Sequence, residues 1–274
     1  MRTQVEKANA FRALHEGEQA FIIPNPWDIG SARLLELLGF EALATTSAGC
    51  AFALGLPDHG LTRSQTIAHS ADIVAATDLP VSADLENGFR DHPETVSETI
   101  RLAAAAGLAG CSIEDSTNGS GIPIYEFELA VERVRAAAET ARSLPFTFTL
   151  TARAENFLCG RPDLGDTIKR LQAYQEAGAD VLYAPGLVSG ADIAAVVRSV
   201  DRPVNVVMGL RGIQLSLAEL SEIGVKRISI GSALARAAYG AFLRAAREMR
   251  EHGTFKFADD AVAYSEINQM FGDH

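Results

Sequence analysis

Short apolar runs alternate along the chain with longer stretches whose apolar positions recur at helical spacing. The runs predict strands at 20–23, 42–45, 80–83, 110–113, 146–151, 181–183, 204–207 and 227–230. Between and after them the spacing predicts helices at 28–38, 63–76, 93–106, 124–142, 163–177, 189–199, 216–223 and 232–250, behind an opening amphipathic helix at 4–15. Gly178 and Gly224 stand where two of these helices stop, as residues tolerant of positive φ should. Short apolar strands alternating with helices indicate an α/β fold with a parallel sheet buried on both faces. For about eight such units the closed solution is a (β/α)8 TIM barrel, a single domain over 1–274. An open doubly wound sheet is the alternative, but no glycine-rich dinucleotide fingerprint follows the first strand. The tail at 257–271 reads as an additional C-terminal helix whose apolar stripe, Phe257, Ala261, Tyr264, Ile267 and Phe271, suits either its own domain or a second subunit.

Two strands end abruptly in acids. VSADLENGF (81–89) opens into Asp84 and Glu86, and CSIED (111–115) into Glu114 and Asp115. Crowded carboxylates repel one another and are costly to desolvate unless a cation compensates them. Oxygen donors with no nearby His or Cys suit Mg2+ or Mn2+. Asp84 and Glu86 share a strand face, with Glu114 approaching from the neighbouring strand. Mg2+ keeps several waters, so Asp84 as direct ligand with Glu86 and Glu114 holding waters is the natural division. Pairing with lysines or capping of helix starts would use the same acids.

Barrel active sites lie at the carboxyl ends of strands. Those ends carry Asn25, Trp27 and Asp28, then Thr46, Ser47, Ala48 and Gly49, and, after the acids, Arg153, Glu155 and Asn156, Tyr183, Asn205, and Gly231 and Ser232. Arg153 offers a planar fork for a substrate carboxylate, or an ordinary ion pair with Glu155 or Asp115. The small residues from Thr46 to Gly49 either present backbone N–H groups to an oxyanion or form a tight turn.

A net charge of -11 argues against nucleic acid or an anionic membrane as the main partner, while leaving room for a small anion at a local site. Cys50, Cys111 and Cys159 lack metal or disulfide spacing, and no signal-peptide core or long apolar run appears. A cytoplasmic protein is expected.

The segments NPWDIGSAR, TTSAG, LGLPD, ADLENGF, SIED and TARAE, in that order over positions 25–155, resemble the isocitrate lyase / phosphoenolpyruvate mutase superfamily, in its 2-methylisocitrate lyase and oxaloacetate decarboxylase-like branch. The likeness continues through strand eight; the motifs are specific as a set and weak singly. It implies a (β/α)8 barrel whose last helix is exchanged between subunits of a homodimer or homotetramer. It also implies Mg2+ and a small 2-oxo or 2-hydroxy carboxylic acid cleaved at a C–C bond through a metal-bound enolate. By position, Asp84 matches the metal ligand, and Asp58, Glu86 and Glu114 match the acids that hold its waters. Arg153 matches the carboxylate-binding arginine, and Thr46, Ser47 and Ala48 match the turn that receives the substrate carboxylate or enolate oxygen. Together these readings make Asp84, Glu86 and Glu114 the metal set, and Arg153, Asp58 and Glu114 the catalytic set. Trp27, Thr46, Ser47, Ala48, Asp84, Arg153 and Asn205 are the substrate-binding set.

Three departures from the pattern bear on the reaction. The Lys-Lys/Arg-Cys-Gly-His segment of isocitrate and methylisocitrate lyases is replaced by STNGSGIPIY, which has no acid/base cysteine. The run LYAPG lacks the lyases' glutamate after strand six, and of the mutases' paired lid asparagines only Asn118 is present. The expected lid is 116–123, with His59 or Tyr183 as proton donor or as structural side chains. Decarboxylation of oxaloacetate makes the smallest demand, because solvent can protonate its enolate. P–C cleavage, as in phosphonopyruvate hydrolase or phosphoenolpyruvate mutase, and a non-catalytic 2-oxo-acid-binding protein are the alternatives.

Overall fold

The strand–helix alternation closes on itself. A computed structural model of the chain describes residues 2–272 except 118, 120 and 122. The first half comprises α1 (Gln4–Glu16), β1 (Phe21–Ile23), α2 (Ile29–Leu37), β2 (Leu43–Ala44), α3 (Ser47–Ala53), α4 (Arg63–Ala76), β3 (Val81–Asp84), α5 (Pro93–Ala105) and β4 (Gly110–Glu114). The second comprises α6 (Phe127–Arg142), β5 (Thr149–Arg153), α7 (Leu164–Ala177), β6 (Val181–Tyr183), α8 (Gly190–Arg198), β7 (Val204–Val207), α9 (Leu217–Ile223), β8 (Arg227–Ser229), α10 (Ala233–His252) and α11 (Tyr264–Gly272).

Parallel pairing runs β2-β3-β4-β5-β6-β7-β8-β1. The remaining joint, between β1 and β2, is closed by the Ala44 N–H on the Pro24 carbonyl at 3.0 Å. Asn25 reinforces it: its amide donates to the Thr45 carbonyl at 2.9 Å and accepts from the Ile230 N–H at 2.9 Å, tying β1 to both neighbours. The result is the α/β TIM barrel expected from the alternation. Outward strand positions such as Ala83, Cys111, Ile113, Leu150 and Ala152 form the main core beneath the helices. Several inward positions depart from the branched aliphatics that usually fill such a lumen, although Ile23 and Val207 keep to them. Ser82, Ser112 and Ser229 stand there below the strand-end charges.

Several boundaries differ from expectation for local reasons. α6 begins at Phe127 rather than 124, because Ile124 bridges antiparallel to Ser116. β5 begins at Thr149 rather than 146, the preceding Phe146 and Phe148 packing edge to face instead. The run after β2 is a helix start and not a turn: Thr46 caps α3 by accepting from the Gly49 N–H at 3.3 Å. Gly49 is required there, since a Cβ would lie 2.5 Å from Thr46 Cγ2. The tail is a 3-10 turn (Lys256–Asp260) followed by α11, with the Phe271 ring over Gly30 of α2. α10 buries only Ala235 and leaves Phe242 67% exposed, with Leu243 and Met249 also in solvent.

α1 plugs the amino-terminal end of the barrel through Ala8 and Phe11, which pack on Phe21, Ile23 and Ala109. Its His15 lies edge-on between Phe11 and Phe21 at 4.8 and 5.0 Å, its Nδ1 donating to the Phe11 carbonyl at 2.8 Å. Burial, helped by the charge of Arg227, pushes this imidazole down to about 3 from an ordinary 6.5. The unfolded chain therefore takes up a proton that the folded chain refuses throughout that window. This contribution to stability is fully present above pH 6.5 and is lost as pH falls toward 3. Between pH 6 and 4 the pH slope of urea unfolding should differ between wild type and His15→Gln by about 1 kcal/mol per pH unit, the carboxylates contributing alike to both; an unchanged slope in the variant would contradict it.

Candidate active site

Because strand side chains alternate, residues two apart stack toward one end of the lumen. Asp84 ends β3, Glu114 ends β4 and Arg153 ends β5, and the register pairs Glu114 with Arg153 directly. Arg153 binds three carboxylates at once. Its Nη1 meets Asp84 Oδ1 at 3.0 Å, its Nη2 meets Glu114 Oε2 at 3.0 Å, and its Nε meets Glu155 Oε1 at 2.9 Å. The Tyr183 ring lies beneath it, 5.1 Å from centroid to guanidinium carbon. Burial alone would lower Arg153, but Glu155, Glu114 and Asp84 hold it well above its ordinary value. One cation divided among three acids does not neutralise them, so burial pushes Glu114 and Glu155 up. Burial also carries Tyr183 up to about 12, against the opposing pull of Arg153.

A second arm of the site comes from the loop after α3. The Ser47 N–H donates to Asp84 Oδ2 at 3.3 Å and its hydroxyl to Asp58 Oδ1 at 3.2 Å. The adjacent His59 places Nδ1 3.0 Å from Glu86 Oε2 and Nε2 3.9 Å from Asp58 Oδ2. The hydrogen bond to Glu86, with the charges of Asp58, Glu86 and Asp84, raises His59 against burial. Both ends of this contact are left-handed, with φ of 60° at His59 and 50° at Glu86. Non-glycine residues hold such angles at a cost of about 1–3 kcal/mol each when their surroundings over-determine them.

Two buried arginines brace the backbone around the site, one of them the loop beyond Glu86. Arg133 of α6 donates to the carbonyls of Asn87, Arg90 and Asp91 and stacks over Tyr125 at 4.2 Å, clamping the loop that follows Glu86. Arg170 of α7 meets Asp115 Oδ2 at 3.1 Å, and Asp115 also accepts from the Tyr174 hydroxyl at 2.6 Å and the Glu155 N–H at 2.8 Å. Asp115 is thereby a structural hub that fixes the end of β5.

A cavity of about 290 Å³ descends from this cluster into the lumen. Of the expected residues, Thr46, Ser47, Ala48, Asp58, Asp84, Arg153 and Asn205 line it. Trp27 lies outside the lining, behind Gly49. Glu114 stands beside it on Arg153, and Glu86 is turned toward His59. Asp84, Glu86 and Glu114 therefore do not converge on one point, and the described residues gather no three His, Cys, Asp or Glu side chains able to hold a metal together. The donor set still fits a hard divalent cation bound mainly through water. It is all oxygen, and around Asp84 there is more negative charge than Arg153 offsets. Asn205 sits deeper than a strand-end reading implies, accepting from Arg227 Nε at 2.8 Å and donating to Ser229 Oγ at 3.0 Å. Cys50 and Cys111 are buried packing residues. Of the expected lid, Asn118 lies outside the described residues; Thr117 N–H donates to the Pro123 carbonyl at 3.1 Å. Sequence reasoning missed Arg133, Arg170 and Arg227, whose type alone reads as surface; the first two stand inside predicted helices, while Arg227 opens its strand and carries no such signal.

The family model described as phosphoenolpyruvate phosphomutase matches residues 11–250. The chain belongs to that family. Within the wider isocitrate lyase / phosphoenolpyruvate mutase superfamily its relatives are enzymes, lyases and mutases alike, and it is an enzyme of that kind. A solved protein of Burkholderia cenocepacia J2315, described only in general terms as a lyase/mutase, is 63% identical with a TM-score of 0.96, covering 98% of this chain and 96% of its own. Probable 2-methylisocitrate lyase 1 of Corynebacterium glutamicum is 31% identical over 90% of this chain and 83% of its own length. Oxaloacetate acetylhydrolase, solved with its product oxalate, is 25% identical with a TM-score of 0.89, covering 100% of this chain and 96% of its own.

The Asp115 hub is directly testable. Arg170→Met leaves a buried carboxylate without its cation and should lower the unfolding free energy by about 3–5 kcal/mol. Adding Asp115→Asn should restore part of that loss in the same denaturant titration.

Proposed function

We propose that this enzyme cleaves a C–C bond next to the carboxylate of a small 2-oxo or 2-hydroxy acid in a Mg2+-dependent reaction, with decarboxylation of oxaloacetate the reaction that demands least of its side chains. The observation that carries the reading is the sharing of Arg153 by Asp84, Glu114 and Glu155 at the mouth of the cavity. Such a mouth favours a cation at Asp84 and an anion at Arg153 side by side. Asp84 would hold Mg2+ directly, with Asp58, Glu86 and Glu114 holding its waters. When bound, the ion supplies Lewis-acid stabilisation of the charge that develops as the C–C bond breaks.

The chain's own groups do the rest. Arg153 presents a planar fork to the substrate carboxylate, which competes there with Asp84. The start of α3 at Thr46, Ser47 and Ala48 lines the opposite wall and offers backbone N–H groups to an oxygen of the acid. As CO2 leaves oxaloacetate, its bonding electrons pass into the enolate of pyruvate, which then takes a proton at carbon. His59 and Tyr183 are the proton donors this reading assigns, one beside Glu86 and one beneath Arg153. The names of the 2-methylisocitrate lyase and oxaloacetate acetylhydrolase relatives support a carbon-skeleton substrate, while the family description keeps P–C chemistry as the rival to be tested.

Product release from oxaloacetate, methylisocitrate and phosphonopyruvate, each with Mg2+ and with EDTA, separates the rivals. Metal-dependent pyruvate release from oxaloacetate or methylisocitrate is expected, and turnover of phosphonopyruvate alone would overturn the C–C reading. Asp84→Ala should lower kcat/KM by about 10³-fold or more and abolish Mg2+ binding by calorimetry while leaving the circular dichroism spectrum unchanged. Retained activity in that variant would refute the metal assignment.

The same reading assigns the exposed apolar face of α10, including Phe242, Leu243 and Met249, to exchange between subunits of a homo-oligomer. Light scattering should report a dimer or tetramer, and Phe242→Glu with Leu243→Glu should shift it toward monomer.

A further inference from the structure

Below the acids and Arg153, the cavity reaches a second guanidinium. Arg227 opens β8, is 5% exposed and lines the same cavity near its floor. Its hydrogen-bond partners are all neutral. Nε donates to Asn205 Oδ1 at 2.8 Å, Nη2 to Thr151 Oγ1 at 3.0 Å, and Nη1 reaches His15 Nε2 at 3.4 Å. Among the described residues it has no carboxylate partner, in contrast to Arg153 and Arg170, each of which binds at least two. His15 is itself held neutral by burial, so it neither adds to nor offsets the charge. Burial and the nearby Arg153 lower Arg227 to about 10, against the opposing pull of Tyr183, which leaves it protonated at neutral pH.

A buried cation without a counter-charge is unfavourable, and proteins ordinarily pair such groups. Three hydrogen bonds use three of the five N–H groups of a guanidinium. The hydroxyls of Ser82 and Ser112 line the same cavity and can turn as donors, while Ser229 Oγ is engaged by the Asn205 amide. Asp58 and Asp84 line the cavity too, but they belong to the mouth, where Arg153 and Ser47 engage them. The floor is thus a positive, hydroxyl-rich pocket beneath a negative rim.

We propose that Arg227 anchors a second, deep anion site on the barrel floor, distinct from the Arg153 site, that takes one small monovalent anion, a carboxylate or a halide. The site compensates the buried guanidinium, and it stands whether or not the reaction proposed above is correct, because it needs neither metal nor turnover.

The experiment is thermal unfolding of the full chain in EDTA, titrated with sodium formate or sodium bromide at ionic strength held constant with isethionate. Wild type and Arg153→Gln should show a saturating rise in Tm of about 2–4 °C, and Arg227→Gln none. Absence of a saturating rise in wild type, or its persistence in Arg227→Gln, overturns the proposal. Since loss of Arg227 also strips partners from Asn205 and Thr151, wild-type crystals soaked in bromide give a test that needs no variant. An anomalous peak within hydrogen-bond distance of the Arg227 guanidinium supports the site, and its absence there refutes it. The part of formate inhibition that Arg227→Gln abolishes, measured on whichever acid turns over, then tells the sources apart. Competitive inhibition means that the floor receives the substrate's own carboxylate; noncompetitive inhibition means that it receives a free anion.

Discussion

One guanidinium, that of Arg153, sits among more negative charge than it can neutralise. Asp84, Glu114 and Glu155 all bond to it, and Glu86 and Asp58 stand just beyond. An electrostatic deficit of this kind costs stability and survives only on a rigid support. The support is the barrel itself: β3, β4 and β5 are adjacent, paired in register, and buried throughout except at Asp84 and Arg153, which are partly exposed.

Rigidity at the strand ends continues into the loops through two interior arginines. Arg133 is spent on three carbonyls of the loop beyond Glu86, and Arg170 on Asp115, which in turn grips the backbone of Glu155. Both come from helices on the outside of the barrel and reach inward, so the packing of α6 and α7 is coupled to the geometry of the acids. The left-handed backbone at Glu86 and His59 is the local expense of aiming these two side chains at each other.

The architecture was legible in the sequence because eight apolar runs separated by helical spacing leave few alternatives, and the acids at the ends of β3 and β4 stood out as polar residues terminating buried strands. Individual roles were less legible. By strand position alone Glu114 and Asp115 look alike, yet alternation sends Glu114 to Arg153 and Asp115 to Arg170. The same spacing put Asp84 and Glu86 on one face, but β3 ends at Asp84, and the left-handed turn at Glu86 breaks the period and swings that side chain to His59. Of the two readings of Thr46 to Ala48, turn or oxyanion cradle, the turn gives way to the capped start of α3. Arg227 gave no signal, because a strand-initial arginine looks like an exposed flank until the register places it inside.

The joint between β1 and β2 differs from the other seven in kind. There a single main-chain hydrogen bond and the amide of Asn25 do the work that laddered pairing does elsewhere. The segment that starts α3 nevertheless stays with the acids, because β2 is laddered to β3 and the Ser47 N–H is bonded to Asp84. Closure of the cylinder and integrity of the charged cluster are thereby separate matters: Asn25 secures the first, and the ladder from β2 to β5 secures the second.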